Sequence, residues 1–229
     1  MTNLMVEELA RRIGPRLWEE SAKINYEWKM PRSLAATYKV DPGGSLAEQA
    51  MELRRKMHEL FAVADEDGKR KLIFDYVVTW GGIKAHARGG DCSKTLASMA
   101  TQTPQELMKR FQGVSTWSKI LCLHDPGLYA IFDARVAFAI NALQISIANL
   151  RPVASFPLLP TRNTHLVQAT SKVKVAMQSA DPIPEDRAYA TYLALLEQLA
   201  DARGIEVVEM ALFTIAPEFA RRLNAGVPA

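Results

Sequence analysis

Two charged side chains in an apolar setting, Lys119 and Asp133, have the types and spacing that could support chemistry. They lie in the stretch GVSTWSKILCLHDPGLYAIFDARVAFAI, residues 113–140. The pattern predicts Lys119 at the start of a short apolar helix and Asp133 at the start of a longer one, with a DPG turn between them. A neutral amine is a nucleophile, and a carboxylate stabilises developing positive charge. The pair therefore indicates a reaction centre, although ordinary helix capping would also explain Asp133.

The segment before Lys119 predicts two helices joined by a tight hairpin. Thr103 is a good N-cap, and Glu106 completes a capping box for the first helix. Gly113 stands where a C-terminal glycine belongs, so the hairpin is expected at Gln112–Ser115. Backbone N–H groups exposed in such a hairpin, beside a helix start, can bind a phosphate oxygen. The sequence thus predicts a unit at 103–124 that could hold nucleic acid without reading its sequence.

The rest of the chain shows mostly helical spacing of apolar residues, which predicts an all-α fold. The first helices are expected on either side of Pro15, the second reaching Met30, with a loop over residues 31–44. Ser45 is a good N-cap for the next helix. The segment KLIFDYVVTW, residues 71–80, is compatible with either helix or strand.

Length and composition limit the class of protein. The chain has 229 residues, which fits one helical domain over 1–229 or two helical lobes, 1–100 and 101–229, with a cleft between them. A net charge of +3 permits nucleic-acid binding without requiring it. Two cysteines exclude a disulfide framework and four-cysteine metal or cluster sites. No segment reaches the roughly 20 apolar residues that span a membrane, so an intracellular, soluble, cytoplasmic protein is expected.

These features resemble the helix–hairpin–helix DNA glycosylase superfamily, which includes endonuclease III and the 8-oxoguanine glycosylases. In that family a glycine hairpin leads into a helix with a lysine, and an aspartate begins a later helix. A closer resemblance is to bacterial 8-oxoguanine DNA glycosylase-like proteins, and it covers residues 75–140 and 204–213. The residues that carry these resemblances are Phe111, Gly113, Val114, Lys119, the DARV run at Asp133, the WGG at Trp80, the SK at Ser118 and the EMALF at Glu209.

The sequence also departs from the family pattern. Ser115 replaces the second hairpin glycine, and Lys119 lies six residues after Gly113 where the family has four. The interval of fourteen residues from Lys119 to Asp133 is shorter than in the superfamily. No cluster-binding cysteines follow, so the resemblance implies no iron–sulfur cluster, no metal and no other cofactor.

The resemblance implies a role for each of several residues. Lys119 would attack C1′ of a damaged nucleotide flipped out of the duplex, and Asp133 would stabilise positive charge on the sugar. Burial among apolar neighbours is expected to lower the pKa of Lys119. The backbones of Gly113, Val114 and Ser115, together with Arg135, would contact phosphate. A modest basic face would include Lys84 and Arg88. The candidates for the base pocket are Trp80 and Trp117.

Each assignment has an ordinary structural alternative. Lys119 could be a surface lysine whose stem passes apolar neighbours, and Asp133 could be a cap only. Trp80 and Trp117 could be core anchors. The functional hypotheses are therefore a DNA glycosylase, with or without AP-lyase activity, acting on an oxidised purine in damaged duplex DNA; a non-catalytic nucleic-acid-binding helical protein; and a structural or interaction domain. Protein partners and oligomeric state are left open.

Overall fold

The computed structural model describes residues 3–83, 92–147 and 150–226. Within these ranges the protein is mostly helical, as the sequence predicts. The helices are α1 (Asn3–Ser21), α2 (Arg32–Thr37), α3 (Leu46–Val63), α4 (Glu66–Phe74), α5 (Cys92–Ala100), α6 (Pro104–Leu107), α7 (Val114–His124), α8 (Ala134–Ile145), α9 (Thr164–Ala176), α10 (Glu185–Ala200) and α11 (Ile205–Asn224).

Four shorter elements accompany these helices. A π-helical turn, Asp75–Trp80, follows α4 directly, so the segment that the sequence left open is helical. A 3₁₀ turn, Asp201–Arg203, links α10 to α11. Two strands of two residues each, β1 (Ala154–Ser155) and β2 (Asp181–Pro182), pair in parallel, with Ala154 opposite Asp181. No helix in the described part of the chain is both long and apolar enough to cross a membrane.

The chain divides into two compact units, each described here by itself. The first unit comprises Met1–Asn25 and Phe132–Ala229, and the second comprises Tyr26–Ile131. These boundaries differ from the break at residue 100 that the sequence suggested for two lobes. The first unit is therefore discontinuous in sequence, because the C-terminal helices pack on α1 at the start of the chain.

In the first unit, α11 packs on α8, α9 and α10, and α1 packs on α10 and α11. Their core includes a cluster of aromatic rings around Phe132, whose ring centroid lies 4.9 Å from that of Tyr192. Buried amide side chains join α8 to the short sheet. Asn141 exchanges hydrogen bonds with the backbone of Phe156, and Gln144 bonds the backbone of Ala154. These amides satisfy backbone groups that burial would otherwise leave unpaired.

In the second unit, α3 packs on α7, the π-turn packs on α7, and α4 packs on α5. The predicted Ser45 cap of α3 is confirmed: the Ser45 hydroxyl accepts from the amide of Glu48, and the Glu48 carboxylate accepts from the amide of Ser45. Leu53, Met57 and Phe61 form the buried face of this helix. Their burial fixes the position of α7, which carries Lys119.

Three predictions about the N-terminal region are wrong. Helix α1 is continuous through Pro15, because fully buried Leu9, Ile13 and Leu17 on one face hold it on both sides of the proline. The helix ends at Ser21. The segment from there to Met30 is not helical, contrary to the prediction. The predicted loop at 31–44 contains α2, a helix of six residues.

Candidate active site

The hairpin that precedes Lys119 is longer than predicted and ends earlier. The capping box at Thr103 is confirmed. The Thr103 hydroxyl accepts from the backbone amide of Glu106, and the Glu106 carboxylate accepts from the backbone amide of Thr103. Helix α6 has only four residues, however, and Gly113 directly precedes α7 instead of ending α6. Gly113 has φ of 78°, a left-handed conformation that glycine adopts at little cost. Ser115 is therefore in the first turn of α7 and outside the hairpin.

Some of the backbone amides at this turn already donate hydrogen bonds within the turn. The amide of Val114 donates to the Phe111 carbonyl at 3.0 Å, and that of Trp117 donates to the Gly113 carbonyl at 3.1 Å. The amides of Gly113 and Ser115 have no acceptor among the described residues. Of the three amides predicted to contact phosphate, these two are available as donors, whereas Val114 is already bonded within the turn.

Lys119 is the sixth residue of α7, in the second turn, and not at the helix start as predicted. Its side chain is buried, with the residue 5% exposed. Its Nζ donates to the carbonyl oxygen of Ser115 at 2.9 Å, one helical turn earlier. Lys119 is therefore not the surface lysine of the alternative interpretation. A buried lysine is uncommon, because its charged form loses hydration.

Trp80 and Trp117, the two base-pocket candidates, lie in the interior of the second unit. Trp117 is 1% exposed. Trp80 is 5% exposed and stacks on Tyr76 with ring centroids 4.7 Å apart, and its carbonyl oxygen accepts from Nε1 of Trp28. The Nε1 of Trp80 has no acceptor among the described residues. Both side chains match the core-anchor interpretation that the sequence left open.

Asp133 is the N-cap of α8, as predicted. Its Oδ1 accepts hydrogen bonds from the amides of Arg135 at 2.9 Å and Val136 at 3.2 Å. The carboxylate is half-buried at the start of a helix whose following turns are buried. Favourable interaction with the helix N-terminus suits a negative charge at this place. Capping is thus established for Asp133, and a chemical role in addition to capping stays a prediction.

The basic residues predicted to contact nucleic acid have different surroundings. The guanidinium of Arg135 lies over the ring of Phe213, with Cζ 4.4 Å from the ring centroid, a cation–π contact that the sequence did not predict. Lys109 and Arg110, beside the hairpin, are exposed. Lys84 and Arg88 lie outside the described residues.

A buried arginine, Arg54, is the polar residue of this unit that sequence reasoning missed. It is 1% exposed on α3, and its Nε donates to the hydroxyl of Tyr76 at 2.8 Å. The signal was present, since Ala50, Arg54, Met57 and Phe61 follow the 4-3-4 spacing of a buried helical face. Arg54 therefore supports the π-turn that carries Tyr76.

The histidine and cysteine residues near α7 form no recognisable metal site. Cys122 is fully buried, and its Sγ donates to the carbonyl oxygen of Tyr129. Burial lowers the pKa of His124 from its ordinary value, and the nearby charges of Lys69 and His58 lower it further. In residues 3–83, 92–147 and 150–226, no three His, Cys, Asp or Glu side chains are grouped to hold a metal ion.

The chain matches no family model, and no curated protein or solved structure shows significant similarity to it.

Proposed function

We propose that the protein is a DNA-repair glycosylase, with or without AP-lyase activity, that removes an oxidised purine from damaged duplex DNA. In this proposal the architecture is of the helix–hairpin–helix glycosylase type, Lys119 is the nucleophile and Asp133 is the assisting carboxylate. The observation that carries the proposal is the buried Lys119, which is 5% exposed on a helix that begins at a left-handed glycine.

The burial of Lys119 is unusual for its residue type. Lysine is rarely buried, and burial by itself disfavours its charged form. The neutral form is the one that can attack carbon. A helix anchor alone would need no amine here, because Ile120 and Leu121, which are fully buried, already anchor α7.

The proposed reaction starts from a base turned out of the helical stack, which costs a few kcal/mol. The neutral Lys119 amine attacks C1′, the bond from C1′ to the base nitrogen breaks, and the electron pair leaves with the base, which takes up a proton. Loss of a proton from the attached nitrogen and opening of the sugar give a Schiff base. The Asp133 carboxylate stabilises the positive charge that develops on the sugar.

The turn before α7 would hold the DNA backbone. The free amides of Gly113 and Ser115 lie beside the N-terminus of an eleven-residue helix, where a phosphate oxygen is favoured. The exposed side chains of Lys109 and Arg110 add positive charge along the same connection. Contacts of this kind bind DNA without discriminating its sequence.

The test is borohydride trapping on a panel of duplexes that carry different oxidised purines. The wild-type chain should give a covalent adduct and Lys119→Ala should give none, since the Schiff base needs the amine. Lys174→Ala is the control, because it removes an exposed lysine that the proposal does not place against DNA, and it should still trap. Release of free base is scored in parallel, because a glycosylase without lyase activity releases base and forms no adduct.

Three outcomes would overturn the proposal. An adduct that survives Lys119→Ala would place the nucleophile elsewhere. Binding of duplex DNA without base release from any lesion would favour a non-catalytic nucleic-acid-binding protein. That second candidate is favoured by the hydrogen bond from the Lys119 Nζ to the Ser115 carbonyl, which also satisfies the amine structurally. Absence of both reaction and DNA binding would leave a structural or interaction domain.

A further inference from the structure

Gly81 occupies a position where its backbone does not require glycine. Its φ is −73° and its ψ is −7°, values that any residue adopts readily. Glycine is usually needed where φ is positive, as it is at the neighbouring Gly82, with φ of 64°. The reason for a glycine at position 81 must therefore be space.

The space beside Gly81 is bounded by two carbonyl oxygens of the π-turn and by the Lys119 side chain. A Cβ at position 81 would lie 2.9 Å from Cε of Lys119, 2.7 Å from the carbonyl oxygen of Val77 and 3.0 Å from that of Tyr76. The first two distances are shorter than real Cβ contacts. The hydrogen on Cα of Gly81 thus leaves the room in which the end of the Lys119 side chain lies.

The wide turn that ends at Gly81 creates this close approach. The amide of Gly81 donates to the carbonyl of Tyr76, five residues earlier, which is the π-helical pattern. The π-turn Asp75–Trp80 packs on α7. Its aromatic pair, Tyr76 and Trp80, is buried, so the turn is held from inside the unit. Single π-turns of this kind recur at functional sites.

We propose that Gly81 is a positioning residue for the Lys119 amine. Because Gly81 has no side chain, the end of the π-turn packs directly against Cε of Lys119 and holds Nζ in place. The inference rests on the proposed function, in which that amine attacks the sugar. Any side chain at position 81 displaces the lysine stem, and a displacement of about 1 Å at a nucleophile costs on the order of 100-fold in rate.

Gly82 is the matched control within the same loop. Alanine at position 82 is strained because φ is positive, and its Cβ would meet the ring of Trp28 at 3.4 Å. Lys119 is not among the atoms it would meet. Gly82→Ala therefore disturbs the same loop without displacing the lysine.

The first experiment is a double-mutant cycle read by Tm, which needs no activity. Gly81→Ala and Gly82→Ala are each measured in Lys119→Ala and in Lys119→Met. Methionine keeps an unbranched side chain that reaches the Cε position, whereas alanine removes it. The Tm loss from Gly81→Ala should be smaller by about 3 °C in Lys119→Ala than in Lys119→Met, the shift expected when one close contact is relieved in a chain of this size. The loss from Gly82→Ala should be equal in both.

The second experiment measures single-turnover base release and duplex affinity with Lys119 intact. Gly81→Ala should release base about 100-fold more slowly than the wild type while it binds the same duplex equally well. Gly82→Ala, compared at equal folded fraction, should keep the wild-type rate. A purely structural role for Gly81 would instead leave Gly81→Ala, like Gly82→Ala, at the wild-type rate once folding is matched.

The outcomes separate this inference from the proposed function. Equal Tm losses from Gly81→Ala in the two lysine backgrounds would overturn the positioning role. If Gly81→Ala unfolds the wild-type chain, recovery of folding in Lys119→Ala supports the role, and failure to fold there as well overturns it. If the wild-type chain releases no base from any duplex, the glycosylase proposal fails, and the Tm cycle alone decides whether Gly81 positions Lys119.

Discussion

Helices α7 and α8 are both apolar and buried, yet they begin in different ways. Helix α8 starts at Asp133, whose carboxylate caps two backbone amides within three residues. Helix α7 starts after Gly113 with no side-chain cap, and its lysine, Lys119, lies in the second turn. The surroundings of Asp133 are therefore produced by its own neighbours in sequence. Lys119 bonds the Ser115 carbonyl of its own helix, but its Cε is also approached by Gly81, nearly forty residues earlier at the end of the π-turn.

This difference has a consequence for how each residue can be tested. A capping carboxylate can be replaced by an amide that keeps the hydrogen bonds and loses the charge. For the buried lysine, Lys119→Met keeps the stem but loses the amine together with its hydrogen bond, so the groups around it must be varied as well. Substitutions at three positions test the contrast between a helix held by packing and a helix fixed by its cap.

The largest effect is expected at Trp117, which anchors α7. Trp117→Ala should lower the free energy of unfolding by about 3–5 kcal/mol, because it removes a large side chain that is 1% exposed and leaves a cavity. Denaturant unfolding of the wild type, Trp117→Phe and Trp117→Ala measures this, with the phenylalanine variant intermediate. If Trp117→Ala were as stable as the wild type but lost affinity for damaged duplexes, Trp117 would be a base contact and not an anchor.

An intermediate effect is expected at Asp133, where two substitutions separate capping from charge. Asp133→Ala should cost about 1 kcal/mol of stability, whereas Asp133→Asn should cost little because an amide oxygen accepts the same two bonds. Base release should fall about 100-fold in both variants, since neither carries the carboxylate. Equal rates for Asp133→Asn and the wild type, measured by single-turnover release, would leave Asp133 with a capping role only.

The smallest effect is expected at His124, the last residue of α7. Burial holds the pKa of His124 below 6.5, so the folded chain keeps this ring neutral where the unfolded chain takes up a proton. The unfolded state then binds more protons, and stability should fall as the pH drops below about 6.5.

Urea unfolding at pH 7, 6 and 5 measures this dependence. His124→Phe keeps an aromatic ring against Phe61, whose centroid is 5.0 Å away, and should show a smaller loss of stability over the same range. An identical pH dependence in His124→Phe would mean that another group is responsible.

Some parts of the fold follow from short stretches of sequence. The caps at Ser45, Thr103 and Asp133 are formed as predicted, because each depends on hydrogen bonds between residues at most three apart. The turn at Gly113 adopts a positive φ for the same local reason, although it begins a helix instead of ending one. Helical periodicity likewise indicated the all-α class.

Other parts depend on contacts between distant residues. The continuity of α1 through Pro15 opposes the local preference of proline, and burial of Leu9, Ile13 and Leu17 outweighs it. The stretch after Ser21 has helical spacing in sequence, yet it is not helical. Its Trp28 instead donates from Nε1 to the carbonyl oxygen of Trp80. Neither outcome could be predicted from neighbouring residues.

For the candidate site, the sequence by itself determined the residue types and the cap at Asp133, since a carboxylate and the amides two and three residues later need nothing else to meet. Only the tertiary structure decided that Lys119 is buried and that Gly81 approaches its Cε. The physical reason is that burial is a property of what packs around a side chain. Here the π-turn that packs on α7 is specified far from the lysine in sequence.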